Sequence, residues 1–94
     1  MRVEWTSFAL TNASEIYEYI REDNAIAAIR VLRSIRSATE VLRKQPLLGR
    51  PGRITGTREL VVTGLPYVIL YEVRDEHVEV LSVLHGKQRW PEAL

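Results

Sequence analysis

Cysteine is absent from this chain, which excludes disulfides and thiolate metal sites and leaves the fold to hold by packing alone. Histidine is scarce: with only His77 and His85, a zinc site would need carboxylates as well. No uncharged run approaches the roughly 20 apolar residues of a membrane span, the longest strand-like one being Leu60–Tyr71. The N-terminus passes from Met1 into Arg2-Val-Glu-Trp-Thr6 without an apolar signal core, so a cytoplasmic protein with no membrane partner is expected. The net charge of +1 argues against a general nucleic-acid coat. Ser7, Ser14, Ser34, Ser37 and Ser82 lie in no nucleophile elbow. Gly49, Gly52 and Gly56 are interspersed with Pro and Arg rather than set in the strand-to-helix context of a phosphate loop. No cofactor and no metal are therefore expected. Repeats and low-complexity tracts are missing too, and 94 residues suit one core, so a single domain over residues 1–94 is predicted.

What remains is strongly patterned. Val3 and Trp5 alternate with Arg2, Glu4 and Thr6, the period of a short edge or partner strand in which Trp5 packs on the sheet. Thr6-Ser7 supplies an N-cap, after which Ala9, Ala13, Ile16, Tyr17 and Ile20 mark one helical face. Asp23-Asn24 breaks that helix and caps a second, with Ala28, Val31, Leu32, Ile35, Ala38 and Leu42 at helical spacing and Pro46 forcing a stop. Arg30, Arg33 and Arg36 line its polar side, as a cationic ridge or a solvated face. Gln45–Gly56 reads as a loop. Between Arg43 and Arg58 there are five cations and no acid, a local positive field or a solubilising surface. Three strand runs follow, Arg58 to Thr63, Pro66 to Arg74 and Val78 to His85, joined by Thr63-Gly64 and by Arg74-Asp75-Glu76-His77 at hairpin length. The order β-α-α-β-β-β predicts an α+β fold, a two-helix hairpin packed on a small, mostly antiparallel sheet. The run Tyr67–Val73 is apolar on both faces, as a central strand or one that offers a face to a partner.

Leu48-Gly-Arg-Pro-Gly-Arg53, Thr57-Arg-Glu-Leu60, Pro66-Tyr-Val-Ile-Leu-Tyr-Glu-Val73 and Val83-Leu-His-Gly-Lys-Gln-Arg-Trp-Pro91, after an Ala/Ile/Arg-rich helix pair, resemble the RelE/ParE toxins of type II toxin–antitoxin systems over essentially the whole chain. The resemblance implies a small growth-inhibiting toxin neutralised by a cognate, ParD-like antitoxin, with operator DNA bound only through that antitoxin. It also implies one of two targets. A RelE-like toxin cleaves messenger RNA in the ribosomal decoding site; a ParE-like toxin poisons DNA gyrase. In-line attack by a 2′-hydroxyl needs a base, an acid and cations at the phosphate. The nuclease pattern supplies these from strand lysines and arginines and a C-terminal tyrosine. Here Tyr67-Val68-Ile69 stands where that pattern has an arginine, Arg58 with Leu60 replaces a lysine pair, and Trp90-Pro-Glu-Ala-Leu94 holds no tyrosine. The chain is therefore expected to be a ParE-like, non-enzymatic gyrase poison; the alternative is a ribosome-dependent endoribonuclease using Arg58, His85, Lys87 and Arg89.

The residues expected to meet the target are Arg58, His85, Lys87, Gln88, Arg89 and Trp90. His85 suits either general acid–base work or a structural bond to a carbonyl or acid. Arg58 either holds the C-terminal region or presents charge. Trp90 beside Pro91 reads as a latch on the tail, although Trp is also an interface anchor. The antitoxin is expected on the apolar surface that includes Ile16, Ile20, Val31, Ile35, Tyr67 and Tyr71, where an amphipathic segment would lie.

Overall fold

A computed structural model describes residues 1–87. Its elements are β1 (Arg2–Trp5), α1 (Ser7–Arg21), α2 (Ala25–Val41), β2 (Arg50–Pro51), β3 (Arg58–Val61), β4 (Tyr67–Val73) and β5 (His77–His85). The five strands form one sheet in the order β1-β5-β4-β3-β2. The meander β3–β4–β5 is antiparallel, as is β2 on β3, whereas β1 runs parallel to β5 with Val3 opposite Val78 and Trp5 opposite Val80. The expected order is thus found with one addition. β2 lies within the stretch Gln45–Gly56, which sequence alone reads as loop.

Local signals account for the element boundaries. The Thr6 hydroxyl accepts from Ala9 N at 3.1 Å, and the Asn24 side chain accepts from Ala27 N at 3.0 Å, each satisfying an orphan donor at a helix start. α2 ends at Val41, ahead of Pro46, and tightens into turns in which Arg43 N bonds Glu40 O and Lys44 N bonds Val41 O. The β3–β4 hairpin turns on Gly64, whose φ of 76° suits a residue without Cβ.

The helices pack on the sheet through α1 against β5 and α2 against β4. The core beneath them joins Ala9, Ile35 and Leu42 to Val62, Ile69, Tyr71, Val78, Val80 and Val83, with Val3, Trp5, Ile16, Val31 and Tyr67 packed around it. In β4, Val68 and Leu70 are buried as well as Ile69 and Tyr71, as befits a strand with neighbours on both sides.

β5 is longer than β1, and α1 completes its edge. Thr6 N bonds Val80 O, and the Thr6 hydroxyl donates to Leu81 O at 3.1 Å. Asn12 Oδ1 then accepts from Ser82 Oγ at 2.7 Å and Val83 N at 3.1 Å. Where the β1 ladder stops, helix side chains supply the partners that a buried strand edge requires.

Candidate functional site

The expected target-facing residues separate into two places. His85 ends β5 opposite Tyr67, its ring edge-on to the tyrosine with centroids 5.7 Å apart. Its Nδ1 accepts from Lys87 N at 3.1 Å, so that nitrogen carries no proton in this tautomer. Lys87 is exposed just beyond. Gln88, Arg89 and Trp90 lie outside the described residues. Arg58 pairs with Tyr71, four residues further along β4 than the Tyr67–His85 pair. That is about 13 Å along the strand direction and, across two strand spacings, about 10 Å sideways.

Arg58 is turned away from His85. Its guanidinium donates to Leu47 O at 3.3 Å and Gly49 O at 2.7 Å. Holding the C-terminal region was one of its two expected roles, and the tail from Gln88 onward lies outside the described residues; within them Arg58 clamps the segment after α2. Tyr71, wholly buried, acts on the same segment: its hydroxyl accepts from Gly49 N at 2.8 Å and donates to Pro46 O at 2.7 Å. Burial raises the Tyr71 pKa, so the bridge stays protonated over the neutral range. Gly49 is required here, because a Cβ would lie 2.7 Å from the Tyr71 hydroxyl and 2.8 Å from Glu59 O.

Glu59 completes the clamp. Its side chain is 2% exposed and accepts from Arg53 N at 2.8 Å, Arg53 Nε at 3.2 Å and an Arg50 guanidinium nitrogen at 3.0 Å. Burial, the largest single influence, pushes its pKa upward, but the Arg53 and Arg50 donors outweigh it and the carboxyl sits below its ordinary value. The acid-free cationic stretch of the sequence is therefore partly neutralised from just outside its limits. Glu40 pairs Arg43 and Glu59 pairs Arg50 and Arg53.

At the β1 edge of the sheet, β1 and the two helices enclose an open groove of about 760 Å³. Val3, Trp5, Leu10, Ala13, Ile29 and Leu32 make its apolar walls, while Arg33, Arg36, Arg43 and Glu40 give it a charged rim. Leu10, Ile29 and Leu32 are 57%, 42% and 37% exposed. The expected antitoxin residues fare unevenly against this geometry. Ile35 and Tyr71 have no exposed surface and must be corrected to core residues, since helical spacing and strand alternation put them beneath the layer rather than on it. Ile16, Ile20, Val31 and Tyr67 are half-buried. Sequence reasoning missed Leu10 and Ile29. The signal was the run Ala25-Ile-Ala-Ala-Ile29, whose apolar arc is wider than one packed helix face needs.

Among the described residues no group of three His, Asp or Glu is placed to hold a metal ion, and no helix is long and apolar enough to cross a membrane. A family model described as "ParE toxin of type II toxin-antitoxin system, parDE" matches residues 3–90. The chain belongs to the ParE toxin family. Among its relatives, the protein Y4kP of Sinorhizobium fredii is 45% identical over 93 residues, covering 99% of this chain and 96% of that one. Toxin RelE2 of Caulobacter vibrioides is 37% identical over 85 residues, 90% of this chain and 94% of its own length. A chain from a structure titled "Chromosomal ParDE TA system from P. aeruginosa" has the same fold, with a TM-score of 0.83 at 20% identity over 90% of this chain and 95% of that chain. This ParE-family toxin thus carries a pinned cationic loop at one edge of its sheet and an apolar groove at the other.

Proposed function

We propose that this toxin inhibits growth by binding and poisoning DNA gyrase, and that a ParD-like antitoxin neutralises it, operator DNA being bound only through the antitoxin. The observation that carries the non-enzymatic reading is the commitment of Arg58. A ribonuclease needs cations and a base converging on one phosphate, yet Arg58 spends its guanidinium on Leu47 O and Gly49 O, far along the sheet from His85. The groove supports the antitoxin reading: its apolar walls end in Arg33 and Arg36, neither in a close ion pair among the described residues. An amphipathic segment bearing acids would satisfy both features.

Kinship with Toxin RelE2 favours a second reading, a ribosome-dependent endoribonuclease built on His85, Lys87 and Arg89 without Arg58. Expression without antitoxin in growing cells separates the two. Gyrase poisoning predicts growth arrest with chromosomal double-strand breaks and intact messenger RNA. Arrest with cleaved messenger RNA and no breaks, relieved by His85→Ala while antitoxin binding persists, would establish the nuclease instead.

A further inference from the structure

The loop between α2 and β3 is built to an unusual specification. Leu47 and Leu48 are adjacent in sequence and 63% and 50% exposed, while the backbone beneath them is fixed from within. Arg58 holds the carbonyls of Leu47 and Gly49, the Tyr71 hydroxyl bridges Pro46 O and Gly49 N, and Leu48 N bonds Gln45 O. Arg50 pairs with Glu59 and Pro51 with Arg58 across the short ladder. A buried tyrosine hydroxyl and a buried carboxylate are devoted to ordering this segment, although apolar groups of similar shape stabilise a core at least as well. Isolated exposed leucines need no explanation. Two neighbours on a loop whose conformation is set in advance are different, because prior ordering removes the entropic cost of immobilising a binding loop.

We infer that residues 47–53 form the surface that engages the toxin's target, with Leu47 and Leu48 entering an apolar site on an acidic protein surface and Arg50 and Arg53 meeting its acids. The inference rests on the gyrase reading for the identity of the target. Charge selects the partner's chemistry: residues 43–58 hold five cations, answered by Glu40 at Arg43 and Glu59 at Arg50 and Arg53, and the Arg50 and Arg53 side chains are 61% and 49% exposed even while paired to that buried carboxylate. The leucines select a protein over DNA, since phosphate contacts make no use of them. Location sets Arg50 and Pro51 apart from the Val3 and Trp5 wall of the groove, because β2 and β1 are opposite edges of the sheet, about 19 Å apart at four strand spacings, while Arg43 on the groove rim marks where the loop begins.

The test is the variant Leu47→Ser/Leu48→Ser in a gyrase cleavage assay, beside its antitoxin affinity and melting temperature. Removing two leucine contacts should lower trapped breaks by about tenfold or more, with antitoxin affinity and melting unchanged. Breaks at the wild-type level would overturn the proposal. A loss that follows Arg50→Ser and added salt but not the leucines would transfer the loop to DNA and overturn it as well. If the wild-type toxin traps no breaks, the gyrase reading falls while the loop is still judged by growth: relief of arrest in the leucine variant with antitoxin binding intact supports it, and undiminished arrest refutes it. Should the double variant fold poorly, a photo-crosslinking residue in place of Leu48 supports the proposal by linking to a gyrase subunit and overturns it by linking to the antitoxin alone.

Discussion

Replacing Tyr71 by Phe removes one oxygen atom and no ring, so it isolates the hydroxyl bridge. The bridge comprises an acceptor contact from Gly49 N at 2.8 Å and a donor contact to Pro46 O at 2.7 Å. Each net hydrogen bond contributes about 1 kcal/mol, and a buried donor left without a partner costs about 1–3 kcal/mol. Gly49 is buried and Pro46 half-buried, so water replaces the hydroxyl at Pro46 O more readily than at Gly49 N. The expected loss is therefore about 2–3 kcal/mol. At ~4–8 °C per kcal/mol for a domain of this size, melting should fall by roughly 10–20 °C. Urea titration should show a lower midpoint with an unchanged slope, because the surface exposed on unfolding is the same. Hydrogen exchange at the Gly49 amide gives the local readout, with protection there lost before the β4–β5 amides respond. A loss below about 0.5 kcal/mol with Gly49 still protected would refute the claim that this hydroxyl pins the loop.

Other outcomes follow from the same contacts. The Glu59 pKa lies below its ordinary value, so its share of stability is present above the unfolded carboxyl value of about 4.3 and is lost as pH falls through the folded one; Glu59→Gln should cost about 1–3 kcal/mol at pH 7 and flatten the acid limb of a stability–pH curve. Gly49→Ala should destabilise by about 1–3 kcal/mol through forced displacement, whereas Gly86→Ala, whose Cβ would lie 3.5 Å from Pro66 O, should change melting little; equal effects would count against the close packing at Gly49. Asn12→Ala leaves Ser82 Oγ and Val83 N without their acceptor, and about 2 kcal/mol should be lost in denaturant titration. Leu32→Asp should weaken antitoxin binding about tenfold or more by placing a charge on the groove wall, measured by calorimetry, while leaving the core intact.

Much of the architecture was legible because its causes are local. Thr6 and Asn24 cap the helices through their own side chains, Gly64 turns the β3–β4 hairpin through its own φ, and alternation in Val3 and Trp5 marks β1. Pairing β1 parallel to β5 is not local, and nothing in Arg2–Trp5 specifies it. β2 was hidden because a two-residue strand carries no periodicity; it exists through the Arg50–Glu59 ion pair and the clamp on Gly49. Periodicity identifies which side of a helix is apolar but not where packing ends, which is why Ile35 was placed at the surface while Leu10 and Ile29 went unnoticed. The separation of Arg58 from His85 was hidden for a similar reason: both lie at strand ends in sequence, and only the register shows that they sit at different ends of the sheet. The likeness to RelE/ParE toxins named the fold and family correctly because several weak motifs occur in order along the whole chain.

The most direct measurement of the central claim is to incubate the purified toxin with DNA gyrase, ATP and a supercoilable plasmid, and to look for double-strand breaks trapped on denaturation. The gyrase account predicts such breaks, dependent on the toxin and abolished by its antitoxin. Unaltered supercoiling with no trapped breaks, at toxin concentrations that arrest growth in cells, would contradict it.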